Sequence, residues 1–245
     1  MKILTLNTWG GRVGDPLLDF FNTHQEIDVF LLQEVFQDAT KKTRWDDRQR
    51  PNLFQEISDA LPGHTGFFAP SVVNEWGLAA FVQKTVVIDE IGDFFVHKTM
   101  DSLIEYDGAS IGRNVQYLKI RSEDNQPLAV LNFHGIWTGT GKNDTEDRLE
   151  QSTNIIKFIK TLNENVILCG DFNLVPDTES LRMITRELAL KNLIKEFNIS
   201  STRTSLYPKP EKFADYIFIS PEILIKKFQV LSDEVSDHAP ILLEI

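Results

Sequence analysis

Five short apolar segments of this chain are each followed at once by a carboxylate, an amide or a histidine. They occupy residues 4–7, 31–34, 131–134, 166–173 and 228–238. Titratable side chains at the ends of buried strands cost free energy unless a functional site holds them there. The segments therefore predict core strands with a site at their ends, and Asn, Glu, His and Asp are the side chains that metal-assisted hydrolysis needs.

Apolar and alternating runs predict strands, and amphipathic periodicity predicts helices between some of them. We expect strands at 2–6, 28–32, 77–83, 86–95, 115–121, 128–133, 165–168, 213–219, 223–231 and 240–244, and helices at 16–24, 51–61, 144–162 and 178–190. Asp144 is expected to cap the third helix. Since several strands follow one another without a helix between 81 and 121, a doubly wound parallel sheet fits poorly. The pattern favours an α/β (α+β) four-layer sandwich, in which two packed mixed β-sheets are flanked by helices.

The composition is that of an ordinary folded protein. Apolar residues make up 42% of 245 residues, with only 13 Gly and 10 Pro, which is enough apolar surface for a sizeable core. We find no repeat, linker or low-complexity tract and therefore expect one domain over residues 1–245. The single cysteine, Cys169, excludes an intrachain disulfide, and its place at a strand end favours a core role.

Charge and hydropathy limit the partners of the chain. A net charge of −11 argues against broad attraction to a nucleic-acid backbone, although a local basic path remains compatible with it. No apolar stretch approaches the 18 residues that a membrane span needs, so none is expected. Because the first residues lead directly into a core strand, with no leader pattern, we expect a cytoplasmic protein, and a monomer.

Six motifs in a fixed order resemble the endonuclease/exonuclease/phosphatase superfamily, and the resemblance spans nearly the whole chain. They are Leu-Asn-Thr at 6–8, Gln-Glu-Val at 33–35, Asn-Phe-His at 132–134, Gly-Asp-Phe-Asn at 170–173, Asp-Tyr-Ile at 215–217 and Ser-Asp-His-Ala-Pro at 236–240. The resemblance implies a DNase I-like fold and divalent-metal-dependent hydrolysis of a phosphoester.

Asn7, Glu34 and Asp237 are the expected metal ligands, with Mg²⁺ as the cofactor and Mn²⁺ as a second possibility. Glu34 ends an apolar strand with no basic residue near it in sequence, and its carboxylate suits an oxygen-preferring cation. Asn7 offers an amide oxygen, although an Asn at a strand end also commonly bonds its own turn. Asp237 joins this set through the resemblance alone.

Asp171, Asn173, Asp215 and His238 are the first candidates for catalysis. Asp171 and Asn173 lie two residues apart, so they face the same side of an extended segment. The resemblance implies that Asp171 positions or deprotonates the attacking water while Asn173 orients water and phosphate; a second metal at Asp171 is the alternative. It also implies that His238 contacts a phosphate oxygen and that Asp215 is its carboxylate partner.

His134 is the second catalytic histidine that the resemblance implies, either as a phosphate contact or as the acid for the leaving oxygen. Asn132 is expected to hold the adjacent loop and to belong to the substrate site. Arg113 resembles a family arginine that approaches the substrate phosphate, with a surface ion pair as the alternative. Glu75 is the expected acidic partner of His134.

A phosphodiester is the expected substrate, either in nucleic acid or in a small or lipid molecule. The basic stretch 41–50 surrounds a tryptophan, which suits nucleic-acid contact but also an ordinary solvated loop. The role of loop 137–142, just after His134, stays open. A binding protein that keeps the fold without catalysis is the alternative function. One cysteine and dispersed histidines exclude a structural zinc site.

Overall fold

The computed structural model describes residues 1–41, 44, 46–100, 111–122 and 124–245. Its strands are Lys2–Asn7 (β1), Val29–Phe36 (β2), His64–Val72 (β3), Trp76–Gln83 (β4), Ile88–His97 (β5), Arg113–Arg121 (β6), Pro127–His134 (β7), Asn165–Asp171 (β8), Lys191–Asn192 (β9), Asp215–Ile219 (β10), Lys227–Val230 (β11) and Ile241–Glu244 (β12). Its α-helices are Asp15–Thr23 (α1), Leu53–Ala60 (α2), Glu146–Ile159 (α3), Glu179–Leu188 (α4) and Leu193–Glu196 (α5), and a 3-10 helix covers Trp9–Gly11.

The strands form two six-stranded mixed sheets. The first has the order β11-β12-β1-β2-β4-β3 and the second the order β5-β6-β7-β8-β10-β9. In each sheet one central pair is parallel, β1 with β2 and β7 with β8, and the neighbouring pairs are antiparallel. The predicted DNase I-like architecture of two packed mixed sheets is confirmed.

Two apolar layers explain why the central strands are apolar on both faces. Ile3 and Leu31 join the cluster that contains residues of the second sheet, such as Leu131. Their neighbours Leu4 and Leu32 join a separate cluster with apolar residues of α1 and α2. Since adjacent strand residues point to opposite faces, one face packs against the other sheet and one against helices. Residues of α3 and α4 pack on the second sheet in the same way.

Strand β3 was not predicted, because its sequence includes a proline and a glycine. Pro70 lies inside β3, which is the edge strand beyond β4. At an edge a proline removes no interior ladder hydrogen bond, and the pairing with β4 shifts between Pro70 and Val72. The short strand β9 and helix α5 were also missed. The predicted strand over 223–231 is shorter than expected, since β11 covers only Lys227–Val230.

The prediction that Asp144 caps the third helix is wrong. Thr145 is the N-cap of α3, and its hydroxyl accepts a hydrogen bond from the N–H of Arg148 at 3.3 Å. Asp144 caps α4 instead: its carboxylate accepts from the N–H groups of Glu179 and Ser180 at 2.7 and 2.9 Å. The packing of α3 beside α4 brings this carboxylate to the second helix, and helical spacing alone does not reveal such a contact.

Cys169 is fully buried in the cluster between the sheets, and burial raises the pKa of its thiol. This environment agrees with the predicted core role and disfavours the reactive thiolate form. Among the residues that the structure describes, no helix is both long and apolar enough to span a bilayer.

Candidate active site

Strand β8 brings three ionisable side chains together at one end of the second sheet. The register pairs Asp171 with His134 on β7 and with Asp215 on β10. Gly170 precedes Asp171 with φ 138°, and a Cβ there would lie 1.9 Å from the carbonyl oxygen of Phe133. Only glycine allows β8 to approach β7 this closely, so the Gly-Asp pair places Asp171 beside His134.

The first sheet contributes Asn7 and Glu34 to the same place. The pairing of β2 with β4 shifts between Leu32 and Val35, so a bulge re-aims the side chain of Glu34. The amide nitrogen of Asn7 donates to Glu34 Oε1 at 3.1 Å and to Asp171 Oδ2 at 3.0 Å. Asn7 thus bridges carboxylates that come from the two sheets.

Three residues of the site adopt left-handed backbone conformations that non-glycine residues rarely occupy. Trp9, Glu34 and Asn173 have φ values of 53°, 57° and 53°. The Trp9 N–H donates to Asn7 Oδ1 at 2.9 Å, and the Asn173 N–H donates to Asp171 Oδ1 at 2.8 Å. Each such residue costs on the order of 1–3 kcal/mol, and this strain concentrates at functional sites.

His238 and Asp215 form a buried hydrogen-bonded pair. The His238 Nδ1 lies 2.8 and 2.9 Å from the two carboxylate oxygens of Asp215, and Thr202 Oγ1 donates to Asp215 Oδ2 at 3.0 Å. Burial and the nearby Arg203 lower the pKa of His238, but the carboxylates of Asp215, Asp171 and Asp237 outweigh them and raise it. The protonated imidazole is therefore favoured, with Nε2 lying 3.6 Å from Asp171 Oδ2.

His134 has the opposite environment. Arg113 lies 3.4 Å from its Nδ1, and its Nε2 lies 3.7 Å from Asp171 Oδ2 and 3.9 Å from Glu34 Oε1. Burial and then the Arg113 charge hold the pKa of His134 well below its usual value. Since Arg113 can only donate, Nδ1 accepts and Nε2 carries the proton. His134 is therefore a neutral donor facing the carboxylates.

Glu75, the expected acidic partner of His134, and Asn132, the expected support of the adjacent loop, make other contacts in the structure. Glu75 uses its Oε2 to accept from the Thr40 N–H at 2.7 Å, and the histidine nitrogen that a carboxylate partner would occupy faces Arg113. Asn132 is buried between the sheets, where its Nδ2 donates to the Leu32 carbonyl at 3.0 Å and its Oδ1 accepts from Gln33 at 2.7 Å. It tethers the two sheets and is absent from the described lining of the cleft.

The ionisable groups border a cleft of about 280 Å³. Its lining also contains Trp137, from the loop that the sequence suggests as a lip over the site, and Arg203, which the sequence suggests only as a rim residue without a firm role. Four further basic and aromatic lining residues were not predicted: Trp9, Arg12, Tyr207 and Lys209. Lys142, near this lining, is 7% exposed, and its burial lowers the pKa to about 8. Arg203 and Lys142 follow no strand motif, so the sequence placed them only in loops that could border the site and gave neither a role.

The basic stretch 41–50 neutralises much of its own charge, as far as it is described. Residues 42, 43 and 45 lie outside the described part of the chain. Arg48 pairs with Asp46 at 2.6 Å, and Arg50 pairs with Glu56 and Asp15. These contacts favour the solvated charged loop over a nucleic-acid contact.

The sequence profile of the Endonuclease/Exonuclease/phosphatase family matches residues 4–238. The chain belongs to this family. The match begins before Asn7 and ends at His238, so it spans the predicted site. Among curated protein sequences, none matches the chain significantly.

Solved structures share the fold over the full length. A mannosyl-6-phosphatase of Bacteroides thetaiotaomicron is 21% identical, with a TM-score of 0.76 over 100% of this chain and 98% of that one. The human Nocturnin catalytic domain is 16% identical, with a TM-score of 0.69 over 99% and 92%. Truncated Caenorhabditis elegans TDP2 is 16% identical, with a TM-score of 0.60 over 99% and 95%. At these identities the likeness concerns the fold.

Members of the endonuclease/exonuclease/phosphatase family typically use a divalent metal ion, and the donor set of this chain fits one. Asp237 Oδ1 is buried, and among the described residues none donates a hydrogen bond to it. Burial raises the pKa of Glu34, the Asn7 amide opposes this, and the charges of Asp237 and Asp171 add to the increase. The carboxylates of Glu34 and Asp237 therefore suit a hard cation, and a bound cation would favour their ionised forms.

The predicted ligands differ in what they present to such an ion. Glu34 and Asp237 offer carboxylate oxygens, whereas the oxygen of Asn7 accepts from Trp9 and its nitrogen faces the carboxylates. A second group that could hold an ion is Asp171, Asp215 and His238, whose ligand atoms lie within 4.8 Å of one another. The Asp215 oxygens and His238 Nδ1 already bond each other, so Glu34 and Asp237 have the freer oxygens.

Proposed function

We propose that this chain is a divalent-metal-dependent phosphoesterase that cleaves a phosphodiester by in-line attack of water on phosphorus. The observation that carries the proposal is the meeting of three carboxylates (Glu34, Asp171 and Asp237) with a protonated His238 and a neutral His134 at one cleft. Such a set provides a cation site, an acceptor for the proton of water and two donors for phosphoryl oxygens.

The attacking water is assigned to Asp171. Burial raises the pKa of this carboxyl, but the positive charges of His238 and Lys142 outweigh burial and hold it below its usual range. Asp171 is therefore ionised and accepts a hydrogen bond from water, and Asn173, whose N–H donates to Asp171 Oδ1, is assigned to orient the phosphate. Glu34 and Asp237 would hold Mg²⁺ or Mn²⁺, which would supply neutralisation of the phosphoryl charge.

The histidines are assigned to the developing negative charge. His238 donates from Nε2 to a non-bridging oxygen, while Asp215 keeps the imidazole protonated and oriented. His134 donates from Nε2 without a net charge, and Arg113 adds a guanidinium to the same cleft. Donors that are fixed before the reaction cost no reorganisation as charge develops.

A small phosphomonoester is the second candidate substrate. Arg12, Arg113, Arg203 and Lys209 all line the cleft, and a dianionic monoester gains more than a diester from several cations. Trp9 and Trp137 add aromatic surface for the alcohol part. The similar mannosyl-6-phosphatase acts, by its name, on a phosphorylated sugar, which motivates including sugar phosphates in the substrate panel.

Hydrolysis of bis-p-nitrophenyl phosphate and p-nitrophenyl phosphate, with Mg²⁺, Mn²⁺ or a chelator, tests the proposal. We expect metal-dependent turnover of at least one ester, and a loss on the order of 10²–10³ in kcat for His238→Ala, as for the removal of one oriented donor. His24→Ala is the matched control, because His24 ends α1 and bonds the Phe20 carbonyl; its rate should equal that of the wild type.

Turnover that survives chelation, or an equal rate in the His238→Ala variant, would contradict this mechanism. If neither these esters nor a panel of nucleotides, sugar phosphates and oligonucleotides is hydrolysed, while Mn²⁺ still binds, the alternative of a non-catalytic binding protein with this fold takes its place.

A further inference from the structure

The segment Thr202–Thr204 makes hydrogen bonds both to the main chain around His238 and to the side chain of Asp215. Arg203 pairs with His238 in an antiparallel bridge, and the Ala239 N–H donates to the Thr202 carbonyl at 3.0 Å. Thr202 Oγ1 donates to the Asp215 carboxylate at 3.0 Å. The segment is thus held by the main chain directly against the candidate site.

The guanidinium of Arg203 points at Asp237, one of the expected metal ligands. Its Nη1 lies 3.2 Å from Asp237 Oδ2, and the two side chains are only 6% and 9% exposed. The guanidinium carbon lies 3.9 Å from the centre of the Tyr207 ring. Stacking on an aromatic ring restricts a planar guanidinium, so Arg203 restrains one oxygen of Asp237. The other oxygen, Oδ1, is buried and accepts no hydrogen bond from the part of the chain that the structure describes, and His238 Nε2 lies 3.9 Å from it.

We propose that Arg203 is a positioning residue that holds Asp237 Oδ2, so that Oδ1 is presented to the divalent cation. This inference rests on the proposed function, because it assumes that a cation binds at Glu34 and Asp237. Outer partners of metal ligands commonly tune affinity 10–100-fold by orienting the ligand.

The sign of the change in cation affinity separates positioning from simple charge balance. An arginine near a cation site repels the cation, so its removal should tighten binding if the ion pair only balances charge. If Arg203 positions Asp237, its removal frees the carboxylate to rotate and binding weakens in spite of the lost repulsion. The two roles therefore predict opposite shifts.

Mn²⁺ binding to the purified full-length protein, measured without substrate by electron paramagnetic resonance of the free ion, tests this. We expect Arg203→Met to weaken Mn²⁺ binding about 10-fold or more. Arg203→Lys keeps the charge but loses the planar guanidinium, so its Mn²⁺ affinity should lie between those of the wild type and Arg203→Met. Arg182→Met is the control, since Arg182 pairs with Glu179 on the surface of α4; its affinity should match the wild type.

Unchanged or tighter Mn²⁺ binding in a folded Arg203→Met variant overturns the inference. Should this variant fail to fold, Tyr207→Leu removes the stacking surface and keeps the ion pair; weaker binding is expected, and unchanged binding overturns the inference. Absence of Mn²⁺ binding in the wild type would reject the proposed function together with the inference. Wild-type binding with metal-dependent hydrolysis but no effect of Arg203→Met would reject the inference alone.

Discussion

The two histidines of the cleft show how neighbours decide the protonation state of the same side chain. Both are nearly buried, and burial alone lowers the pKa of each. His238 bonds the Asp215 carboxylate, whereas His134 faces the Arg113 guanidinium. The carboxylates raise the pKa of one and the guanidinium lowers that of the other, so the cleft holds a charged donor and a neutral donor at the same pH.

Asp215→Asn should lower the pKa of His238, because it removes the nearest carboxylate. In the wild type the pKa of His238 is higher in the folded state than in the unfolded state, so protonation of His238 stabilises the fold. This stabilisation is fully present below about pH 6.5 and is lost as pH rises through the folded pKa. The variant should lose part of this stabilisation at low pH. We expect kcat to fall roughly 10²-fold at neutral pH.

The measurements are an NMR titration of the His238 ring in the metal-free protein and urea unfolding between pH 5 and 8. His64, which bonds the Ile27 carbonyl and lies outside the described lining of the cleft, is the internal control. An unchanged His238 titration in the variant would show that Asp215 does not control its charge.

At the scale of elements, polar side chains fix the two sheets relative to each other. The buried amide of Asn132 on β7 donates to the Leu32 carbonyl of β2 and the Ala79 carbonyl of β4, and it accepts from Gln33. Buried amides with several partners specify one relative position of packed elements, since any shift leaves them unpaired. This network lies below the site and sets how Glu34 of one sheet meets Asp171 of the other.

Asp144→Ala should destabilise the fold by about 1 kcal/mol, because it removes the acceptor for the first N–H groups of α4. Burial alone would raise the pKa of Asp144, but the hydrogen bonds from the Ser180 hydroxyl and from the N–H groups of Ser180 and Glu179 lower it. The stabilisation is therefore present above the unfolded pKa of about 4 and is lost as pH falls through the folded pKa. The difference between variant and wild type should shrink in acid.

Urea unfolding at pH 7 and pH 3 provides the measurement. Asp147→Ala is the matched control, because Asp147 is exposed in the first turn of α3 and should cost less than about 0.5 kcal/mol. Equal losses for the two variants would argue that Asp144 does not cap α4.

At the scale of the whole molecule, an acidic protein surrounds a cleft whose lining adds basic side chains to the carboxylates Glu34, Asp171 and Asp237. The chain has 36 acidic and 25 basic residues, while three arginines and a lysine border the cleft. Net negative charge repels a long polyanion, whereas a small ester meets mainly the local field of the cleft. On this basis we expect a small ester, and not nucleic acid, to be the better substrate.

Hydrolysis of a small phosphodiester should therefore depend weakly on salt. We expect kcat/KM to change less than about 3-fold between 50 and 200 mM salt, because an ester with one or two charges makes few phosphate contacts. An enzyme that grips a nucleic-acid backbone through 6–10 phosphates loses about 10³–10⁵ in affinity over this range. A steep salt dependence with an oligonucleotide, together with faster turnover of it, would establish nucleic acid as the substrate class.

Local sequence determined which segments are buried and where their polar ends lie. The apolar runs predicted core strands in two packed mixed sheets flanked by helices, and the structure confirms these sheets. Glu34 inside β2, Asp171 at the end of β8 and His238 between β11 and β12 do line one cleft, although their chemical roles remain predictions. The hydrophobic periodicity of the sequence is enough to predict which segments are buried, because the alternation of side chains along a strand depends only on neighbouring residues.

Only the tertiary structure decided which side chains pair across the chain. Asp144 caps a helix 35 residues away, Arg203 reaches Asp237 across 34, and Asn7 turns its nitrogen toward an aspartate 164 residues later. These contacts depend on how sheets and helices pack, and no local pattern encodes the resulting distances. The protonation of each histidine follows from the same packing, since it depends on whether a carboxylate or a guanidinium lies against the ring.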